Sequence, residues 1–220
     1  MRDEAAPFPR PCGDLLKLVQ WLSPAFPIGG FAYSHGLEWA IAQREVTCAA
    51  SLQGWLAAAL KHGAGRNDAI LASLAMRGHD PLELAELAEA LAPTRERLEE
   101  LRGMGAAFTR TLGALTGRQY PAMAVPVALG FLGRDMALPH ASVIALMLQA
   151  FSGNLVTIAV RFVPLGQTEG QQVLAGLHPT ILDVADFACT ASLDDLGGGF
   201  FRGDMASAWH ETQETRIFRT

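Results

Sequence analysis

The sequence predicts an all-α protein, a single-domain bundle of about eight to ten helices. Three observations predict it. Apolar residues recur at three- and four-residue spacing along the chain, in segments that mostly open on a capping residue and close on Gly or Pro. Alternation of apolar and polar residues beyond four positions is hard to find. The best strand candidate, VTIAVRFV at 156–163, continues an apolar helical run and reads better as its end. Finally, 220 residues, 50% hydrophobic and 18% charged, suffice for one well-filled core.

The elements follow in order. Asp14 is placed to cap LLKLVQWL, and the prolines at 24 and 27 end that helix. A second helix is expected from about Ser34 to Gln43. Thr47 is placed to cap the next, which closes at His62-Gly63, and Asn67 to open DAILASLAMR, stopped by Gly78. Asp80-Pro81-Leu82-Glu83 combines an N-cap acid, Pro at the first helical position and Glu at the third. After Pro93, Thr94 caps a long helix whose Gly103, Gly105 and Gly113 mark either close helix approach or a kink. Tyr120-Pro121 is a break. Helices are then expected over 127–136, 142–163, 167–177 and 180–190, the last two parted by His178-Pro179. The run 136–160 has no Asp, Glu, Lys or Arg and could span a bilayer by length. Its internal Pro, His, Gln and Asn favour a buried central helix instead.

Composition narrows the function. Net charge is −5 and no basic stripe is visible, which speaks against nucleic-acid binding. Cys12, Cys48 and Cys189 are isolated, with no C-x-x-C, so neither a zinc knuckle nor a disulfide framework is suggested; a reducing, cytoplasmic setting is expected. The first residues carry acids and prolines where a secretory signal needs a basic start and an apolar run, and residues 1–13 are expected to form a flexible tail.

Phosphate loops are absent: neither G-x-x-x-x-G-K-[ST] nor G-x-G-x-x-G occurs. His210-Glu211 begins H-E-T-Q-E, but a zinc-protease helix needs His at position 214, where Glu stands. The plainer reading is a surface His and an acid near a helix start. His35 and Glu38 would share a helix face if the helix began near Ser34, as two metal ligands or as a polar pair at an interface. No nucleophile or acid–base constellation emerges, so no catalytic, cofactor or metal residue is assigned. Two segments do stand out. SPAFPIGGFAYSHGLEW at 23–39 is too constrained and too aromatic for a plain connector; it packs on its own core or meets a partner. LDDLGGGFFRG at 193–203 leads into a tail in which Trp209, Ile217 and Phe218 lie among charges, and such a tail should dock somewhere.

Three segments together resemble the urease accessory protein UreF family. LLKLVQWLSPAFPIGGFAYSHGLEWA fits a pattern of a Leu-rich helix followed by S-P-x-x-P-x-G-G-F-x-Y-S-x-G-L-E, through Ser23, Pro24, Pro27, Gly29, Gly30, Phe31, Tyr33, Ser34, Gly36, Leu37 and Glu38. VRFVPLGQTEGQQVL at 160–174 is similar to V-R-L-x-P-L-G-Q-x-x-G-Q. The tail HETQETRIFRT is similar to H-E-x-x-x-x-R-L-F-x-S. Ala32, His35, Ile217 and Thr220 depart from the pattern, and the resemblance therefore lends His35 no ligand role.

The resemblance implies an all-α homodimer without catalytic activity that assists nickel insertion into urease. It implies binding to the UreD/UreH accessory protein and the GTPase UreG, delivery to the urease apoprotein, and possible regulation of GTP hydrolysis. Nickel and GTP would be handled by the partners, with no cofactor bound directly. It further implies that the C-terminal segment takes part in binding UreD/UreH, which agrees with reading 14–196 as the helical domain and 197–220 as a glycine-rich hinge and docking segment, expected to be mobile when free and ordered on the partner. Partner contacts are expected from Phe31, Tyr33, Ser34 and Glu38 in the loop. In the tail they are expected from Trp209, His210, Glu211, Arg216, Ile217 and Phe218. The rival readings are a nickel carrier, which would need clustered His or Cys, and a helical enzyme with an unrecognised site.

Overall fold

A computed structural model describes residues 10–219, and among them eleven α-helices carry the fold with no strand beyond one isolated bridge. Of the tail expected over 1–13, residues 1–9 lie outside the described residues and 10–13 form the first turn of a helix. The first helix, α1 (Arg10–Leu22), starts four residues before Asp14. Asp14 is therefore not its cap. Its carboxylate instead accepts the Ala137 amide at 2.9 Å and the Lys17 ammonium at 2.9 Å, which lowers its pKa. This pins α1 to the connection ahead of a later helix.

After the loop comes α2 (Leu37–Ala42), three residues later than the sequence suggests. His35 (φ 51°) and Gly36 (φ 74°) are left-handed, and no α-helix can include them. Next come α3 (Ala49–His62) and α4 (Ala64–Met76). The α3 cap is one residue off the expected Thr47: Ser51 Oγ reaches back to the amides of Thr47 (3.0 Å) and Cys48 (3.1 Å). Only Gly63 separates the two helices. Asn67 thus sits inside α4 instead of opening it, and its Oδ1 accepts the Gly197 amide at 3.0 Å.

Two N-caps fall where the sequence puts them. Asp80 accepts the amides of Leu82 (2.7 Å) and Glu83 (3.3 Å) at α5 (Pro81–Ala90). Thr94 accepts that of Arg97 (3.2 Å) at α6 (Arg95–Thr116). α6 runs unbroken through its glycines. A Cβ on Gly105 would lie 2.2 Å from the Met123 carbonyl, so this glycine marks close approach. The chain continues through α7 (Val125–Gly133), α8 (His140–Ala159), α9 (Gln167–Gly176), α10 (His178–Thr190) and α11 (Phe201–His210). His178-Pro179 is the first turn of α10 and not a spacer, because Pro fits where the amide lacks a helical partner.

The most enclosed helix is α4. Ala69 to Met76 are all buried, and α7, α10, α3 and α8 pack around it. Its backbone nearly touches α7: a Cβ on Gly130 would stand 2.2 Å from the Ala72 carbonyl. The charge-free run forms α8, the one described helix long and apolar enough to cross a membrane. Here it packs on α10, α4 and α9, and only Ser142 and Thr157 on it are exposed. Leu18, Leu37, Leu56, Ile70, Phe108 and Leu129 lie in one continuous core.

Candidate functional site

The loop between α1 and α2 is shaped by its glycines. Gly29 and Gly36 both take φ 74°. At Gly36 a Cβ would also lie 2.7 Å from the Ser207 amide nitrogen and 2.9 Å from the Gly203 carbonyl, so α11 rests directly on this residue. Ser34 is fully buried, and its Oγ accepts the Glu38 amide at the start of α2. Glu38 is thereby held in a first helical turn, where a carboxylate is favoured.

The segment after α11 returns over this loop. The Arg219 amide donates to the Ala32 carbonyl (2.6 Å) and the Ser34 amide to the Arg219 carbonyl (3.1 Å), a parallel bridge between Tyr33 and Arg219. Glu38 secures the residues just before it: Oε1 accepts the Ile217 amide at 2.8 Å and Oε2 the Phe218 amide at 2.9 Å. His210, the last residue of α11, is 0% exposed and lies between two carboxylates. Its Nε2 is 3.0 Å from Glu38 Oε2 and its Nδ1 2.9 Å from Glu96 Oε2. Both ring nitrogens of the buried histidine thus face a carboxylate oxygen. Glu96 also takes Arg216 Nη1 at 2.6 Å, while its amide donates to Glu211 at 3.1 Å. Two carboxylates thus face one imidazole ring and one guanidinium.

Aromatics complete the seating. Phe218 is buried edge-on against Phe162, with ring centroids 5.5 Å apart. Trp209 stacks on Trp39 at 4.6 Å, with the Arg202 guanidinium over both rings and paired to Glu45. The upstream glycines are tied down as well. The amides of Gly199 (2.8 Å) and Phe200 (3.2 Å) donate to the His62 carbonyl, and Phe200 packs on Trp55.

The three segments singled out in the sequence therefore converge on one surface: 23–39 through Tyr33 and Glu38, 160–174 through Phe162, and the tail through His210, Arg216 and Phe218. In this structure the stretch expected to be a hinge is hydrogen-bonded to the His62 carbonyl through Gly199 and Phe200, and the tail is seated on its own chain. The reason is that its polar and aromatic groups find partners there. Tyr33, Ser34, Glu38, His210 and Phe218 are buried and would hold such a surface instead of touching a partner. Phe31 (62% exposed) and Ile217 (64%) are exposed, and Trp209 and Phe162 are partly so. The reading of His210 as a surface residue near a helix start is overturned by its burial at a helix end.

His35 and Glu38 are not brought together. The left-handed backbone turns His35 away, to Glu100 (3.1 Å) and the edge of Phe151. Among the described residues no group of three or more His, Cys, Asp or Glu could hold a metal ion. Sequence reasoning missed Glu96, Trp39 and Phe162. Glu96 follows a Thr cap, where an acid is ordinarily a solvated first-turn residue, and nothing local reveals the histidine 114 positions on.

A second buried cluster lies beneath the loop. Arg97 binds Asp68 through two contacts (2.9 and 2.8 Å) and Glu100 at 2.9 Å. Burial disfavours the Glu100 anion, but Arg97 and His35 outweigh it and hold its pKa at about 2. Burial pushes the Asp68 carboxyl up, and Arg97 only partly offsets this.

Comparison with known proteins accords with this geometry. The family model described as UreF matches residues 46–178. A urease accessory protein UreF of Cereibacter sphaeroides is 60% identical over 206 residues, covering 94% of this chain and 98% of the relative. That of Dinoroseobacter shibae is 52% identical over 206 residues, with 93% and 98% covered. That of Rhodopseudomonas palustris is 44% identical over 225 residues, with 94% and 93% covered.

Proposed function

The chain belongs to the UreF family of urease accessory proteins, and on that premise we propose that it is a non-catalytic scaffold for nickel insertion into apo-urease in the cytoplasm. It joins the UreD/UreH accessory protein to the GTPase UreG and presents the assembly to the urease apoprotein. Nickel and GTP stay with the partners. The observation that carries this reading is the convergence of the loop, the 160–174 segment and the tail into one surface with exposed apolar residues above a buried charge network.

The surface divides into frame and contact. Glu38, Glu96, His210 and Arg216 fix the tail, so a partner meets a preformed face and little ordering entropy is lost on binding. Phe31, Ile217 and Trp209 form the contact, and covering each large apolar side chain contributes about 1.5–3 kcal/mol. UreD/UreH is the partner assigned to this face. Leu15, Leu16 and Val19 leave a separate exposed apolar strip on α1, which supports a homodimer.

Affinity capture of the full chain from cells expressing the urease accessory proteins, with and without nickel and GTP, tests the reading. UreD/UreH should be retained in both conditions and UreG should join through the complex. Recovery of nickel-loaded chain free of both partners would instead favour a carrier.

A further inference from the structure

The negative charge of this chain is concentrated in one stretch. Residues 162–201 carry five acids and no Lys or Arg, and the net charge of the whole chain is −5, so the remainder is balanced. Helix α10 lies within that stretch, and Leu182, Asp183, Asp186 and Phe187 on it are all exposed. Leu182 and Asp186, like Asp183 and Phe187, are four residues apart and therefore neighbours on one helix face. The face continues past the helix end. Arg66 lies over the Phe187 ring at 4.5 Å. The Ser192 amide and hydroxyl hold the Asp195 carboxyl below its usual range, and the nearby Arg66 adds to this. Phe187 and the turn Leu193–Asp195 thus border the same guanidinium, and Leu193 and Asp194 are exposed there. A second cation, Arg77, donates to the Ala191 carbonyl. Asp183, Asp186 and Asp194 form no ion pair with any described residue.

We infer that α10 and the turn after it dock a basic amphipathic helix of a partner protein, with Lys and Arg beside its apolar stripe. Exposed apolar side chains grouped on one face mark a contact surface, and the sign of the surrounding charge selects the partner. Nucleic acid and anionic lipid surfaces are repelled by these acids. Isologous pairing with a second copy would set the acids against their equals. A basic amphipathic helix meets both demands along one stripe: its apolar side chains cover Leu182, Phe187 and Leu193, and its cations pair with Asp183, Asp186 and Asp194. This inference does not rest on the docking role of the loop and tail, none of whose residues belong to the α10 face.

Binding of fluorescein-labelled synthetic helices to the full chain tests it, one with Leu on one face and Lys on the other, and one with Glu in place of Lys. The Leu–Lys helix should bind saturably at one site per chain, at least tenfold tighter than the Leu–Glu helix. Asp183→Asn combined with Asp186→Asn should weaken it at least tenfold, and Leu182→Ser at least threefold; all three side chains are exposed. With methyl-labelled leucine, the NMR signals of Leu182 and Leu193 should shift. Those of Leu82 and Leu87, which stand beside Glu83 and Glu86 on α5, should not. No saturable binding, equal affinity for the Leu–Glu helix, unchanged affinity of the α10 variants, or shifts centred on α5 would each overturn the inference. The NMR readout on the unaltered chain decides the matter even if a variant fails to fold.

Discussion

Glu38 and His210, 172 residues apart in sequence, meet at 3.0 Å in the interior, and through this pair the first loop of the protein holds its last segment. The same carboxylate accepts two tail amides. Loss of either partner would leave the other unpaired at a buried site.

His210→Ala should therefore be destabilising, by about 1–3 kcal/mol or more, as when a buried hydrogen-bonding partner is removed and the carboxylates it faced are left unsatisfied. Urea denaturation measures the loss. Hydrogen exchange should show the amides of Ile217 and Phe218, now facing an uncompensated Glu38, losing protection first.

Gly36→Ala should unseat α11. The new methyl meets the Ser207 amide at 2.7 Å and forces a β-carbon into a φ of 74°. Left-handed strain alone costs about 1–2 kcal/mol, and the contact with α11 adds to it. Trp209 fluorescence should change as its stack with Trp39 opens, whereas Gly117→Ala, at similar φ but in open space, should leave that signal unchanged.

Glu100 governs part of the acid response. Its folded pKa of about 2 lies below the ordinary 4.5, so the stabilisation it gives is present above 4.5 and lost as pH falls toward about 2. Asp68, with a raised pKa, has the opposite sign: its contribution is full below its ordinary value and is lost as pH rises through the folded one. Glu100→Gln should lower stability near neutrality and flatten the decline between pH 4.5 and about 2, as read from urea midpoints at stepped pH.

Much of the fold was legible because its cues are local. Asp80 and Thr94 cap the helices they announce, and Gly105 marks a close approach of the chain ahead of α7, one of the two roles its position allowed. The misplaced starts of α2 and α4 came from features without a compositional signal: a histidine in left-handed conformation, and a one-residue corner at Gly63. The candidate site was half legible. The loop and tail residues were visible as motifs, and the resemblance linked them. Which of them face inward depends on pairings more than a hundred residues apart, so Glu96 stayed hidden, and Glu38 and His210 read as contact residues and not as the frame.

The most direct test of the docking surface is copurification of UreD/UreH with Ile217→Asp and Phe31→Ala variants, each checked by thermal melting. Both side chains are exposed, so the melting temperature should stay within about 2 °C of the parent, as for surface substitutions of under about 0.5 kcal/mol. UreD/UreH recovery should fall at least tenfold for Ile217→Asp and measurably for Phe31→Ala. Full recovery of UreD/UreH by a correctly folded Ile217→Asp protein would contradict the assignment of this face.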